Sequence, residues 1–392
     1  MSLKFMKSKH YMSDTHAATA IRPLDALFEA TQIGGLALRN RFVMAPMTRA
    51  FSPGGVPGAD VAGYYARRAA GGIGLVITEG TFVPHPAASN NASVPNFHGD
   101  APLAGWRAVV QAVHAEGAKI VPQLWHAGLL EKRVVENIAL TDSGAKPVSP
   151  SGYIKAGEKT GEGMSAAEIE RVITAFGEAA RSAIDLGFDG LEIHGAHGYL
   201  IDQFFWGATN HRDDAFGGDL VARTRFAAEI VRECRRQTRP GFPILFRFSQ
   251  WKQQDYAARL VNSPAELEAL LTPLVDAGVD IFHCSQRRFW QAEFAGSDRS
   301  LAGWTKQVTG KPAIIVGSVG LERDMSSAGF APGATSAAAN LDQLLDMYAK
   351  DEFDLVAIGR ALIGNADWCD LVRRGEWKSA VAYSADYLGS LR

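Results

Sequence analysis

Eight times along the chain, a short apolar run is followed by a longer stretch whose apolar positions recur with a helical period. The runs are "RFVMAPMT" (41–48), "IGLVITEGT" (73–81), "AKIVPQLW" (118–125), "GLEIHG" (190–195), "PILFRFS" (243–249), "DIFHCS" (280–285), "PAIIVGSV" (312–319) and "DLVAIGR" (354–360). Most are nearly unbroken, as expected of strands buried on both faces of a parallel sheet. The intervening helices carry start and stop signals. Ser165-x-x-Glu168 is a capping box opening a helix that runs to about Leu186, and Gly187 is its stop. "EGAKI" and "AGVDI" repeat the device of a glycine that ends a helix just before a strand. Eight βα units predict one closed α/β domain, a (β/α)8 TIM barrel with right-handed crossovers, over residues 22–392. The alternative, an open doubly wound sheet, calls for a GxGxxG turn after the first strand, and "MAPMTRAFSPGG" is not one.

Three connections are longer than a strand-to-helix turn needs. Residues 127–164 follow the third strand and 320–340 the seventh; both read as lids or binding segments. The segment "SQRRFWQAEFAGSD" (285–298) follows the sixth and reads as a mobile lid, its aromatics over a ligand and Arg287 and Arg288 facing cofactor phosphates. Residues 1–21 are basic without a continuous apolar segment, and they read as a flexible tail, not a secretory leader.

Composition narrows the function classes. A net charge of −2 over 392 residues offers no general attraction to nucleic acid or anionic membrane. No apolar run reaches the roughly 18 residues of a membrane span. Cys234, Cys284 and Cys369 are scattered without a CxxC, which suggests reduced thiols in a cytoplasmic protein. The oligomeric state, monomer or homo-oligomer, is left open.

In such a barrel the chemistry sits at the strand ends, where the βα loops build one face. At the fourth strand stand His194, His197 and Tyr199, open to three readings. They form a packed aromatic turn, or an HxxH metal pair, or two imidazole donors on one oxygen beside a phenol that gives a proton. The metal reading lacks a third ligand, and no metal site is expected. "VGSVG" after the seventh strand and "IGR" after the eighth offer Gly317, Ser318, Gly359 and Arg360 as a phosphate site. Arg247 and Gln123 point inward among apolar neighbours. A buried arginine needs a partner, either an anionic ligand or a carboxylate such as Glu192.

Taken in order, "NRFVMAPMTRA", "TEGT", "PQLWHAG", "HGAHGYLIDQFFWGATNHRDDAFGG", "RFSQWKQQD", "VGSVG" and "AIGR" resemble the Old Yellow Enzyme family of FMN-dependent ene-reductases across about residues 22–370. The resemblance implies noncovalent FMN, with NADH or NADPH as reductant. It places Ala45, Pro46, Met47 and Thr48 along the flavin, Gly80 and Gln123 against its ring, and Arg247 at the edge that gains charge on reduction. Gly317, Ser318, Gly359 and Arg360 would hold the phosphate. His194 and His197 would bind the oxygen of an enone, enal or nitro substrate, Tyr199 would supply a proton, and Trp125 would wall the pocket. Two departures stand out: many relatives carry Asn where His197 stands, and the family's R-x-D-x-Y-G-G lacks its Tyr, with Phe216 in that place. Other classes remain. A lyase or aldolase on a phosphorylated substrate would want a strand-end Lys, and only Lys119 lies on a strand, at its start. A passive flavin carrier would not need the His194, His197 and Tyr199 set.

Overall fold

All eight apolar runs become parallel strands in the computed structural model, which describes residues 23–89, 91–130, 145–322 and 339–392. They are β1 (Phe42–Met44), β2 (Leu75–Phe82), β3 (Lys119–Trp125), β4 (Leu191–His197), β5 (Ile244–Lys252), β6 (Ile281–Ser285), β7 (Ala313–Val316) and β8 (Leu355–Ile358). Each pairs with its neighbour in sequence, and β8 pairs with β1, which closes the barrel. Seven crossover helices cover it: α1 (Ala59–Ala70), α2 (Asp100–Ala115), α3 (Ala166–Leu186), α4 (Leu220–Gln237), α5 (Pro264–Ala277), α6 (Leu301–Thr309) and α7 (Leu341–Ala349). The predicted signals operate. Ser165 Oγ accepts from Glu168 N at the start of α3, and Gly187 ends it at φ 85°.

Alternation along the strands separates two cores. Val43, Leu75, Ile77, Val121, Leu245, Ile281, Ile314 and Leu355 fill the barrel interior. Beneath them a hairpin, Thr31–Ile33 with Leu36–Leu38, adds Ile33, Leu36 and Leu38 as a plug. The opposite parity, including Ile193, Phe246 and Phe282, faces the helices. The interior is thus apolar at the floor, and continuing the same parity upward brings Gln123, Glu192, His194, Arg247, His283 and Ser285 inward near the strand ends. Several strand limits differ from expectation: β7 ends at Val316 and β8 at Ile358, short of residues 319 and 360. β1 stops at Met44 because Ala45 N makes one more ladder bond, to Ile358 O (2.9 Å), and Pro46 then has no N–H to give. β4 and β5 run longer than their apolar runs, to His197 and Lys252. The expected tail at 1–21, the middle of the 127–164 connection and most of 320–340 lie outside the described residues. What is described of the first connection includes a small hairpin, Tyr153–Lys155 with Glu158–Lys159.

Candidate active site

The polar belt above the barrel floor is wired together across four strands. Glu192 of β4 accepts from Gln123 Nε2 of β3 (2.7 Å) and bonds His283 Nδ1 of β6 (2.7 Å). Arg247 of β5 lies in register between His194 and His283. The carboxylate proposed as its partner is therefore occupied elsewhere; Arg247 donates instead to Ser285 Oγ (3.4 Å), and its Nε is buried without a partner. Burial lowers the Arg247 pKa to about 10, with Glu192 and Tyr199 opposing, so it stays cationic at neutral pH. Committing the Gln123 amide nitrogen to Glu192 turns its Oε1 toward Gly80, 3.4 Å from where a Cβ on that glycine would sit.

The His194, His197 and Tyr199 turn is built by a break in strand regularity. The β4–β5 register shifts between Gly195 and His197, and His197 and Gly198 take φ of 65° and 84°. The short helix Leu200–Phe205 then begins. The φ of 84° favours glycine at 198, and a Cβ there would also displace the Gln254 side chain, whose Oε1 would lie 1.9 Å away. The His194 ring centroid is 5.1 Å from both His197 and Tyr199, and Trp125 packs edge-on to Tyr199 at 4.8 Å. All four expected residues meet. His194 Nδ1 is buried and unpaired, whereas His197 Nε2 bonds Ser285 Oγ (2.8 Å). Burial, reinforced by Arg247, holds both imidazoles well below the usual histidine pKa, so both are neutral at pH 7. Burial also pushes Tyr199 up to about 12, against a stabilising bond from Gln253.

At the rim, the turns after β7 and β8 come together with the segment after β1. Gly359 has Met47 Sδ and Ala45 Cβ 3.7 and 3.9 Å from its Cβ position. That segment is pinned from β2, where the Glu79 carboxylate accepts from Arg49 N (2.9 Å) and Ala50 N (3.0 Å); Thr48 between is exposed. Gly317 adopts φ 142° with Gln286 O only 2.4 Å from its Cβ position, and Ser318 follows at φ 58°. Arg360 Nη2 reaches Ser318 Oγ (3.3 Å). The 285–298 segment departs from its predicted role as a covering lid. Phe289 and Phe294 are buried in the outer core, Glu293 is gripped by Gln250 and Arg259, and Arg287 lies over Tyr256 at 4.6 Å. Sequence reading passed over Ser285, Trp251 and Gln253. The two-residue parity from His283 and from Arg247 was the signal that could have found the first two.

His126, His194, His197 and His283 are all buried with pKa values lowered by desolvation. Unfolding frees them to take up protons below about pH 6.5, so the stability their neutral burial contributes is lost as pH falls from 7 toward 5. Each costs up to about 1.4 kcal/mol per pH unit. Glu79 and Asp202, raised by burial to about 7 and about 6, oppose this by binding protons in the folded state. Thermal denaturation should show a net drop in Tm between pH 7 and 5. A flat or rising profile would mean that the buried carboxylates outweigh the histidines.

Comparison with known proteins agrees with the barrel fold. Residues 26–378 match the NADH:flavin oxidoreductase / NADH oxidase family. An NADH oxidase of Thermoanaerobacter brockii is 33% identical over 89% of this chain and 51% of its own length. 12-oxophytodienoate reductase 7 of Oryza sativa subsp. japonica is 41% identical over 53% of this chain and 54% of its own. The chain thus spans about half the length of these two relatives. A chanoclavine-I aldehyde reductase of Penicillium roqueforti is 33% identical over 89% of both chains. Among solved structures, morphinone reductase in complex with tetrahydroNAD superposes with a TM-score of 0.74 at 27% identity, covering 93% of this chain and 94% of the other. With sequence match and barrel in agreement, the chain belongs to the NADH:flavin oxidoreductase / NADH oxidase family, that of Old Yellow Enzyme, whose cofactor is FMN.

Proposed function

We propose that the chain is an ene-reductase, in which reducing equivalents from NADH or NADPH reach the β-carbon of an α,β-unsaturated carbonyl or nitro compound through FMN, and Tyr199 protonates the neighbouring carbon. The observation that carries the reading is the convergence of two neutral imidazoles and a protonated phenol, about 5 Å apart, beside the buried cation of Arg247. The residues present fit FMN. Arg247 Nε is a buried donor without a protein partner, Gln123 Oε1 is turned toward Gly80, and Arg360 and Ser318 meet at a left-handed turn suited to a phosphate. Ala45, Pro46, Met47 and Thr48 would lie along the ring, Gly80 and Gln123 against it, and Arg247 at its N1/O2 edge. Gly317, Ser318, Gly359 and Arg360 would take the phosphate.

FMN, when bound, supplies the hydride from its N5. The chain's own groups do the rest. His194 and His197 give N–H bonds to the substrate oxygen, where negative charge gathers as the β-carbon is reduced; fixed donors in a dry site favour that charge. Ser285, already bonded to His197 Nε2, holds the ring in place while it turns a nitrogen to the ligand. Trp125 forms a wall against Tyr199. A relative is named for 12-oxophytodienoate, which carries an oxo group and alkenes.

The test is the visible spectrum. Purified protein should show a flavin band that NADH or NADPH bleaches and 2-cyclohexenone restores. A colourless protein would fit the lyase reading instead, and a band bleached but not restored would leave only a flavin carrier. Replacing Arg247 and Arg360 together with Ala should weaken FMN binding at least about 10²-fold, since each charge-assisted contact contributes about 1.5–3 kcal/mol. Full flavin occupancy in that variant would sink the assigned cofactor contacts.

A further inference from the structure

The far end of β5 and the residues after it touch His197, Gly198 and Tyr199 in the turn. Trp251 stacks on His197, with ring centroids 4.4 Å apart and planes 28° from parallel. Lys252 Nζ pairs with Asp202 Oδ1 (2.9 Å) in full burial, and Asp202 Oδ2 accepts from Gly198 N (2.7 Å). Gln253 N bonds His197 O (3.2 Å), and Gln254 Nε2 donates to Gly198 O (3.0 Å). Gln253 reaches the group proposed to give the proton: its Nε2 donates to the Tyr199 hydroxyl oxygen (2.8 Å).

We propose that Gln253 is a positioning residue for proton delivery, holding the Tyr199 oxygen as an acceptor so that the phenolic hydrogen is left to point at the substrate. This rests on Tyr199 being the proton donor. A hydroxyl has one hydrogen and two lone pairs. An amide N–H on one lone pair keeps that side of the oxygen from donating, so the O–H bond turns elsewhere. In the step itself the Tyr199 O–H bond breaks as a C–H bond forms at the substrate's α-carbon, and its electron pair stays on oxygen as tyrosinate. Gln253 remains donated to that anion until water reprotonates it. The same bond lowers the phenol's pKa against the rise caused by burial. The titratable groups facing the hydroxyl are His194 from β4, Arg247 from β5 and Tyr256 just beyond it, and none of them is altered by substituting Gln253.

The experiment compares Gln253→Leu with Gln253→Glu in the flavin-loaded enzyme. It reads, by stopped flow at pH 7.5, the ratio of the rate of reoxidation by 2-cyclohexenone to the rate of flavin reduction by NADPH. Leu removes the donor and should lower the ratio about 10-fold or more, the worth of a hydrogen bond to an ionised group. Glu is nearly isosteric but can only accept when ionised. It should draw the phenolic proton to itself and lower the ratio further than Leu. A role in shape alone predicts the reverse order, so a Glu variant at or above Leu, or no change in either, overturns the proposal. Should Leu not yield folded protein, Gln253→Met keeps the side-chain length and replaces it. Independently, ¹⁹F NMR of the 3-fluorotyrosine-labelled protein, with Tyr199 assigned by its absence in Tyr199→Phe, should show its ionisation midpoint raised in both variants. An unmoved midpoint overturns the proposal too. If Tyr199→Phe itself leaves the ratio unchanged, the function beneath the proposal has failed, a result separate from the Gln253 outcomes.

Discussion

Tyr199→Phe should slow reoxidation of the reduced enzyme by an enone about 10²–10⁴-fold, the usual worth of a positioned general acid, while flavin reduction by the nicotinamide stays near its original rate. The asymmetry follows from where the proton is needed: only the second half-reaction protonates carbon. Burial raises the Tyr199 pKa to about 12, so the phenol is protonated across the working pH range and, as the proposed acid, would not first have to acquire a proton. Its ring is held on two sides, edge-on to Trp125 at 4.8 Å and to His194 at 5.1 Å, so removing the hydroxyl leaves the packing intact. Phenylalanine thus deletes the hydroxyl and, with it, the bond from Gln253 Nε2. Stopped-flow measurement of both half-reactions checks the result. Equal slowing of the two would show that Tyr199 shapes the site for both ligands and is not the acid.

The fold was legible because the sequence repeats one instruction eight times. An apolar run such as "AKIVPQLW" leaves no polar face for water, and a capped amphipathic helix follows it, so the parallel closed sheet is the arrangement that buries both. The site was legible where residue type is unusual for its place. Two histidines and a tyrosine at the end of a buried strand, or Arg247 in an apolar run, ask for a chemical reason. Partners were harder to read than members. Arg247 was offered Glu192, but that carboxylate is hydrogen-bonded to Gln123 and His283 and acts on Arg247 through its charge; the three bonded groups come from different strands that barrel register brings together. Gln253 carried no signal at all, because a glutamine in a polar run past a strand is ordinary. The loop at 285–298 misled by composition: Phe289 and Phe294 look like ligand covers but complete the core above α6, which burial alone decides.

Replacing both His194 and His197 with Ala should weaken binding of a phenol, as its phenolate, about 10²–10⁴-fold and abolish the long-wavelength band it gives against oxidised flavin. A phenolate oxygen carries the charge that the substrate oxygen acquires in the reaction, so it probes the donors without turnover. Each N–H to a charged oxygen is worth about 1.5–3 kcal/mol, and two together give the stated range. Both rings are neutral because burial and Arg247 disfavour their protonation, so the binding comes from aimed N–H dipoles and not from imidazolium charge. The histidine contribution should therefore stay constant between pH 7 and 9. His197→Asn supplies the control. It keeps an N–H donor while losing the stack on Trp251 and the bond to Ser285, and it should retain most of the affinity. Spectral titration with a para-substituted phenol measures all three proteins. If the double Ala variant binds as tightly as the parent, the attraction comes from the field of Arg247 alone, and the two histidines do not hold the oxygen on which the proposed reaction depends.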